Sequence, residues 1–266
     1  MKTLVQIISP ITTELAQFEA FFEKTLHAET EPMNSIMRYV LDSHGKRLRP
    51  MLVLLSAKLF GEINEQTFRV ATFVEMIHSA TLIHDDVVDD SDLRRDKASV
   101  KAHFGNLSAV LAGDYLLAKA LQLLARPMDS AILNEMLSTT AAMSEGELMQ
   151  NASFGRPIGR PNDAYLDIIT RKTAMLMQSC CITGAMSVEA TAEQIQQIAE
   201  FGINFGILFQ LRDDILDADN TQTVAFAKQL LPEYLKKTTE ALQSFPNSET
   251  LVALRELTTF CAERME

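Results

Sequence analysis

Two segments of this sequence end an apolar helical run in carboxylates at the same spacing. That duplication limits the chain to folds in which two helix ends can face each other. The first segment, VEMIHSATLIHDDVVDDSDLRR, runs from Val74 to Arg95. His78, Leu82, Asp85 and Asp89 follow at steps of +4, +3 and +4, so at 3.6 residues per turn they share one helix face. Asp85 and Asp89 are like charges one turn apart, which weakens a helix unless a cation sits between them. Hard divalent cations take oxygen ligands, and magnesium typically combines one or two protein carboxylates with phosphate oxygens. Arg94 and Arg95 follow as permanently charged, bidentate phosphate ligands. The second segment, FGILFQLRDDILD, runs from Phe205 to Asp217, where Gly206, Gln210, Asp213 and Asp217 repeat the spacing. A single acidic helix end is readily explained as solvated surface. Two of them are not, because half-buried carboxylates need partners, and facing sets make a cage for metal ions and a polyanion. Together they point to a magnesium-diphosphate site.

Composition narrows the class further. The 266 residues could form one large domain or two ordinary ones, and 47% hydrophobic content is enough for a sizeable core. Thirty-five acids against twenty-four lysines and arginines leave a net charge of −11. That balance argues against a nucleic-acid partner and against a polybasic membrane anchor. Cys180, Cys181 and Cys261 offer no disulfide framework and no CxxC spacing, and read as reduced residues of a cytosolic chain. The N-terminal apolar run is short and is followed by Ser9-Pro10, too brief for a signal peptide, and no uninterrupted apolar run of about 18 residues occurs. A soluble, cytoplasmic protein is expected.

Periodicity reads as helix almost throughout. Leu4, Ile7, Ile8, Ile11, Leu15, Phe18, Phe22 and Leu26 mark an amphipathic first segment, with Pro10 near its start or at a kink. A helix is expected over about 33–43, and a third through Phe60 with Pro50 in its first turn. Asn64 caps the helix that carries the first acidic motif, and another opens at Gly105-Asn106. GRPIGRPND at 155–163 is the clearest loop, with Asn162 as a cap for the next helix. Thr191 to Gln194 forms a capping box for the helix of the second acidic motif. No useful alternating β pattern appears. The expected fold is all-α, a single domain over 1–266 built as a bundle of roughly ten helices.

The remaining charge constellation is basic. Lys46, Arg47 and Arg49 cluster where a helix begins, which suits an anion by charge and by helix dipole. His78 on the Asp85 face reads as a satisfied core histidine on its own, and the thirteen methionines as gap-filling core.

Taken together, GKRLRP (45–50), EMIHSATLIHDDVVDD (75–90), LRR (93–95), FGN (104–106), GDYLLAKAL (113–121), SEGELMQ (144–150), RKTA (171–174) and FQLRDDILD (209–217) resemble the trans-polyprenyl diphosphate synthases. These are the head-to-tail isoprenyl transferases. The resemblance runs from about residue 35 to 219 and resumes in the last forty or so. It implies an isoprenoid synthase-type bundle around a central cavity, usually dimeric, that condenses isopentenyl diphosphate onto an allylic prenyl diphosphate. By similarity, Lys46, Arg49, His78 and Arg95 would hold isopentenyl diphosphate. Arg94, Lys172, Thr173 and Gln210 would hold the allylic diphosphate. Asp85, Asp89 and Asp213 would hold Mg2+, with Asp214 and Asp217 close by, and Asp85, Asp89, Asp213 and Lys172 would form the catalytic set.

Two further expectations follow from the resemblance. Long-chain members carry small residues one turn below the first acid, and Ala80 and Thr81 are small, so a long-chain all-trans product is expected. After DDILDAD the family continues through Gly-Lys-Pro, Gly-x-Asp and Lys-x-Thr-Leu-Pro, whereas this sequence passes from Asn220 straight to TQTVAFAKQLLPEYL. Either residues are skipped between about 219 and 229 or a deletion leaves the site open there, and the former is favoured. Two rivals remain. A non-catalytic subunit of a two-component synthase would not need both acidic motifs, and a class I terpene cyclase would not need Lys46, Arg49 and His78.

Overall fold

Strongly periodic segments become helices and the uniformly apolar ones become the centre. The computed structural model describes residues 2–43, 45–125, 130–150, 161–217 and 221–263. Its architecture is all-α. The first amphipathic segment divides near Pro10, which has no amide to donate and whose ring crowds the carbonyl four residues back. It forms α1 (Leu4–Ile7), a 3-10 turn (Ser9–Ile11) and α2 (Thr12–Leu26). Then come α3 (Glu31–Asp42), α4 (Leu48–Phe60) and α5 (Glu65–Val88). Asn64 accepts from the Gln66 and Thr67 amides, a cap that stabilises α5 by about 1 kcal/mol.

The helices α6 (Val100–Phe104), α7 (Asn106–Leu124), α8 (Ser130–Gln150) and α9 (Pro161–Ile169) follow. A π-helical turn (Thr170–Ala174) leads from α9 into α10 (Met175–Met186). The chain continues through α11 (Ala192–Asp217), α12 (Thr221–Ala241) and α13 (Glu249–Glu263). The expected box before α11 forms, with the Gln194 amide donating to Thr191 Oγ1 and the Thr191 amide to Gln194 Oε1. Asn162 lies inside α9 rather than ahead of it, because that helix already begins at Pro161, a favoured first position. The rest of the expected loop at 155–163 lies outside the described residues.

Helices that are apolar all round belong in the middle. In α4 the residues from Pro50 to Ala57 are buried without a break, and in α10 Leu176, Met177, Cys180, Cys181 and Ala185 are buried on several faces. Each leucine fully buried there contributes about 1.5–3 kcal/mol. Helix α10 packs on α4 and α11, α5 packs on α4 and α7, and α1 rests on α13. The place where family residues are expected between 219 and 229 begins at 218–220, outside the described residues. On either side, α11 and α12 pack against each other.

One short hairpin interrupts the helices. Leu93 pairs with Ala98 and Arg94 with Lys97, antiparallel, around the two-residue turn Arg95-Asp96. Both turn residues have positive φ (52° and 63°), the geometry a tight hairpin needs and one that non-glycine residues resist. Two residues per strand are too few for an alternating pattern to register in the sequence.

Candidate active site

Both acidic motifs occupy helix C-termini. Asp85 sits in the last turn of α5, Asp89 is its C-cap residue, and Asp213 and Asp217 fall in the last turns of α11. Carbonyls at a helix C-terminus already carry partial negative charge, so carboxylates there compound it and the place attracts cations. The GKRLRP segment has the opposite polarity, because Lys46, Arg47 and Arg49 surround the N-terminus of α4.

A cavity of about 500 Å³ is lined by Asp85, Glu147, Lys172, Thr173, Gln210 and Asp213, together with Thr81, Arg49, His78, Arg95 and Phe209. A second recess, also about 500 Å³, is lined by Lys46, Arg47, Arg49, Glu75, His78, Arg95 and Phe209. Arg49, His78, Arg95 and Phe209 thus form the wall common to an acid-bearing chamber and a basic one. A third recess of about 410 Å³ adjoins the acid-bearing chamber through Lys172, Thr173 and Gln210 and is lined by Tyr165, Asp214 and Asp217.

Most of the residues expected at the site are thereby brought together, and four are placed apart. Asp89 is exposed at the end of α5. Asp217 lines the side recess. Arg94 does not line the acid-bearing chamber. Its guanidinium is bound to Asp86, a carboxylate 2% exposed, with Nη2 2.6 Å and Nε 2.7 Å from Oδ1. Ala80 is fully buried in the hydrophobic core, and Thr81 beside it faces the cavity.

The shared wall has a defined protonation. Arg49 donates from Nη1 to His78 Nε2 at 2.9 Å, and a guanidinium has only donors, so Nε2 accepts and the imidazole is neutral with its proton on Nδ1. Burial, and then the arginines around it, push His78 well below the usual histidine range. The buried Nε of Arg49 has no hydrogen-bond partner among the described residues. Arg95 is presented by its left-handed backbone and donates to the Ser43 carbonyl at 3.2 Å.

Lys172 and Thr173 ride on the π-helical turn, a feature that recurs at functional sites. Neighbouring helices hold that turn closely. A Cβ on Gly146 of α8 would sit 2.7 Å from the Lys172 amide nitrogen, and one on Gly206 of α11 would sit 2.5 Å from the Ala174 Cα. The glycines of the SEGELMQ and second acidic motifs therefore let two helices grip the turn. Lys172 is ion-paired with Glu147 at 2.5 Å, while Thr173 donates to Gln210 at 2.8 Å and Gln210 to Asp214 at 2.8 Å. Tyr165 donates to the other Asp214 oxygen. Asp214 is held by these partners and lines the side recess, while Asp85, Asp213 and Glu147 line the acid-bearing chamber.

Burial, followed by Glu147, raises the Asp85 carboxyl to about 6 against the opposing pull of Lys172 and Arg94. Loss of hydration, and after it a neighbouring carboxylate, make the charged form of Asp85 costly, and a bound cation would offset both. Among the described residues no three His, Cys, Asp or Glu side chains converge closely enough to hold an ion alone. Glu147, Glu75 and Tyr165 went unnoticed in the sequence. Only the acid beside a glycine within SEGELMQ offered a signal.

An all-α bundle with two acid-tipped helices over a cavity and a basic recess behind it defines the isoprenoid synthase class of fold. Residues 30–231 match the polyprenyl synthetase family, and the chain belongs to that family. It is 36% identical over 220 residues to heptaprenyl diphosphate synthase component 2 of Geobacillus stearothermophilus, covering 82% of this chain and 68% of that one. It is 33% identical over 211 residues to octaprenyl diphosphate synthase of Escherichia coli (strain K12), covering 79% and 65%. The crystal structure of a polyprenyl synthase from Caulobacter crescentus, complexed with calcium and isoprenyl diphosphate, superposes with a TM-score of 0.90 at 24% identity over 99% of this chain and 98% of that one. The sequence matches to these two relatives span about two thirds of their length.

Proposed function

We propose that the protein condenses isopentenyl diphosphate onto an allylic prenyl diphosphate and repeats the step to give a long-chain all-trans polyprenyl diphosphate. The observation that carries this reading is the common wall of Arg49, His78, Arg95 and Phe209 between a basic recess and an acid-bearing chamber. That arrangement supports two diphosphates of different chemistry lying side by side. A terpene cyclase has use for only one of these chambers.

In this reading Lys46, Arg49, His78 and Arg95 bind isopentenyl diphosphate without metal. Lys172, Thr173 and Gln210 orient the allylic diphosphate, and Arg94 joins them once released from Asp86. Asp85 and Asp213 are the residues that would hold Mg2+ in the chamber, with Asp89 at the exposed end of α5 and Asp217 in the side recess as the further acids of the two motifs. Bound there, the metal would supply positive charge to stabilise the departing diphosphate. Lys172 adds a fixed charge at the same leaving group, which is electrostatic stabilisation where charge develops. The apolar side chains of Leu82, Met143 and Phe209 exclude water from the allylic cation. The C–O bond of the allylic diphosphate breaks, the alkene of isopentenyl diphosphate supplies the electron pair of the new C–C bond, and a proton is lost. Thr81 faces the cavity one turn below Asp85 and is small, which supports a path for a long chain.

A homodimer and a single synthase domain complete the reading. Leu107, Val110, Leu111 and Leu121 lie along one exposed face of α7, while its other face packs on α5. By length and composition alone α7 could cross a membrane, but it carries Asp114 and Lys119. A second copy of this chain explains an apolar outer face on such a helix. A cytosolic setting is supported by three buried, unpaired cysteines. The subunit alternative draws on the Geobacillus stearothermophilus relative, which is named as one component of a synthase. Incubating the purified chain alone with both diphosphates and magnesium tests the two readings against each other.

A further inference from the structure

The basic recess contains one anion of its own. Glu75, one helical turn before His78 on α5, is 6% exposed and lines the recess. It accepts from Arg47 Nη1 at 2.7 Å. Arg47 also grips Glu19 with two donors, Nε at 2.9 Å and Nη2 at 3.3 Å, and its guanidinium carbon lies 4.9 Å from the centre of the Phe22 ring. The backbone of Arg47 is left-handed (φ 52°), a strained geometry that persists where the surroundings fix it.

Charge is what distinguishes this arrangement from ordinary packing. Two carboxylates share one guanidinium, so the group retains one unit of negative charge, and its buried end faces the recess that Lys46, Arg49 and Arg95 line. Burial lowers Arg49 and Arg95 from the usual arginine range, and Glu75 opposes that in both. A buried carboxylate beside cations meant for a diphosphate must repel that diphosphate, so it costs affinity while it steadies the empty pocket.

Resting on the reading above, in which this recess takes isopentenyl diphosphate, we propose that Glu75 is a built-in counter-anion of the recess. As a positioning residue it holds Arg47, Arg49 and Arg95 convergent before substrate arrives and keeps the grip on diphosphate submaximal. The chemistry supplies a use for a weakened grip. The diphosphate of isopentenyl diphosphate remains on the extended product, and the next round requires that product on the acid-bearing side of the Arg49–His78–Arg95 wall. A recess of undiluted positive charge would retain it.

The test is metal-free binding of inorganic pyrophosphate, measured calorimetrically on the full chain, with steady-state kinetics alongside. Glu75→Gln keeps the shape and an acceptor for Arg47 but removes the charge. It is expected to bind pyrophosphate about tenfold more tightly than the parent, the size of one nearby charge at intermediate dielectric. It should also melt lower when empty, and lower KM for isopentenyl diphosphate and kcat together. If Glu75 only props up Arg47, pyrophosphate binds more weakly and KM rises. That result, or unchanged affinity, overturns the proposal. Glu19→Gln, at a half-exposed rim position, neutralises the same group without touching the core and carries the same sign, should Glu75→Gln not fold. Arg49→Ala separates the two readings. If the parent binds no metal-free pyrophosphate, or binds it equally well without Arg49, the diphosphate assignment of the recess fails first, and the counter-anion with it.

Discussion

Lys172 Nζ lies 2.5 Å from the Glu147 carboxylate, so the cation that the sequence offers to a substrate is held by an acid the sequence did not single out. Both side chains are about three-quarters buried. The pair spans the gap between α8 and the π-helical turn, at the edge of a chamber shared with Asp85 and Asp213. A diphosphate entering that chamber competes with Glu147 for Lys172. Lys172→Ala should therefore raise KM for the allylic diphosphate by about tenfold, the scale of one charge-assisted contact, while KM for isopentenyl diphosphate stays put. Steady-state kinetics with each substrate varied in turn decides it, and equal effects on both would displace Lys172 from the acid-bearing side.

The raised Asp85 carboxyl makes a prediction about stability. Its folded value of about 6 exceeds the unfolded value near 3.9. Folded protein therefore binds more protons than unfolded protein between about pH 4 and pH 6, and Asp85 subtracts stability progressively as pH rises through that window. Without metal, Asp85→Asn should raise the melting temperature at pH 7.5, and the gain should vanish by about pH 4. Activity should be lost in the same variant. A melting temperature lower than the parent's at neutral pH would contradict the account of the acid cluster.

Product length should respond to Thr81, not to Ala80. Thr81 faces the cavity, so Thr81→Phe is expected to shift products to shorter chains with the fold intact. Ala80 is 0% exposed, and a ring there overpacks the core at a cost of about 1–3 kcal/mol or more. Ala80→Phe should appear as a drop in melting temperature. Chromatography of products beside thermal melts separates the two variants.

The outer face of α7 predicts assembly. Leu111 is 50% exposed between Leu107 and Leu121 on that face. Leu111→Glu should halve the molar mass seen by light scattering, with little effect on the monomer fold. A parent already monomeric would remove the interface.

These cases show what the sequence could and could not convey. Asp85 and Asp213 were legible because helical spacing and charge repeat twice, and α5 and α11 then formed where the pattern placed them. The basic turn before α4 was legible for the same reason, since charge at a helix N-terminus is a local signal. Glu147 and Asp86 were not, because partner choice is settled between elements far apart in sequence. Ala80 and Thr81 are both small and differ by 100° around the helix, and only the position of α8 and α11 decides which one faces the cavity. Asp213 and Asp214 look alike in sequence until the fold turns Asp213 to the acid-bearing chamber and Asp214 to Tyr165 and Gln210.

The central claim is that this chain alone joins two diphosphates across the wall of Arg49 and His78. The direct measurement is incorporation of labelled isopentenyl diphosphate into prenyl products, with an allylic diphosphate and magnesium, by the parent and by Asp213→Ala. The account predicts long labelled polyprenyl chains from the parent, none when magnesium is chelated, and none from the variant. Label left wholly in isopentenyl diphosphate by a folded parent, or undiminished product from Asp213→Ala, would contradict it.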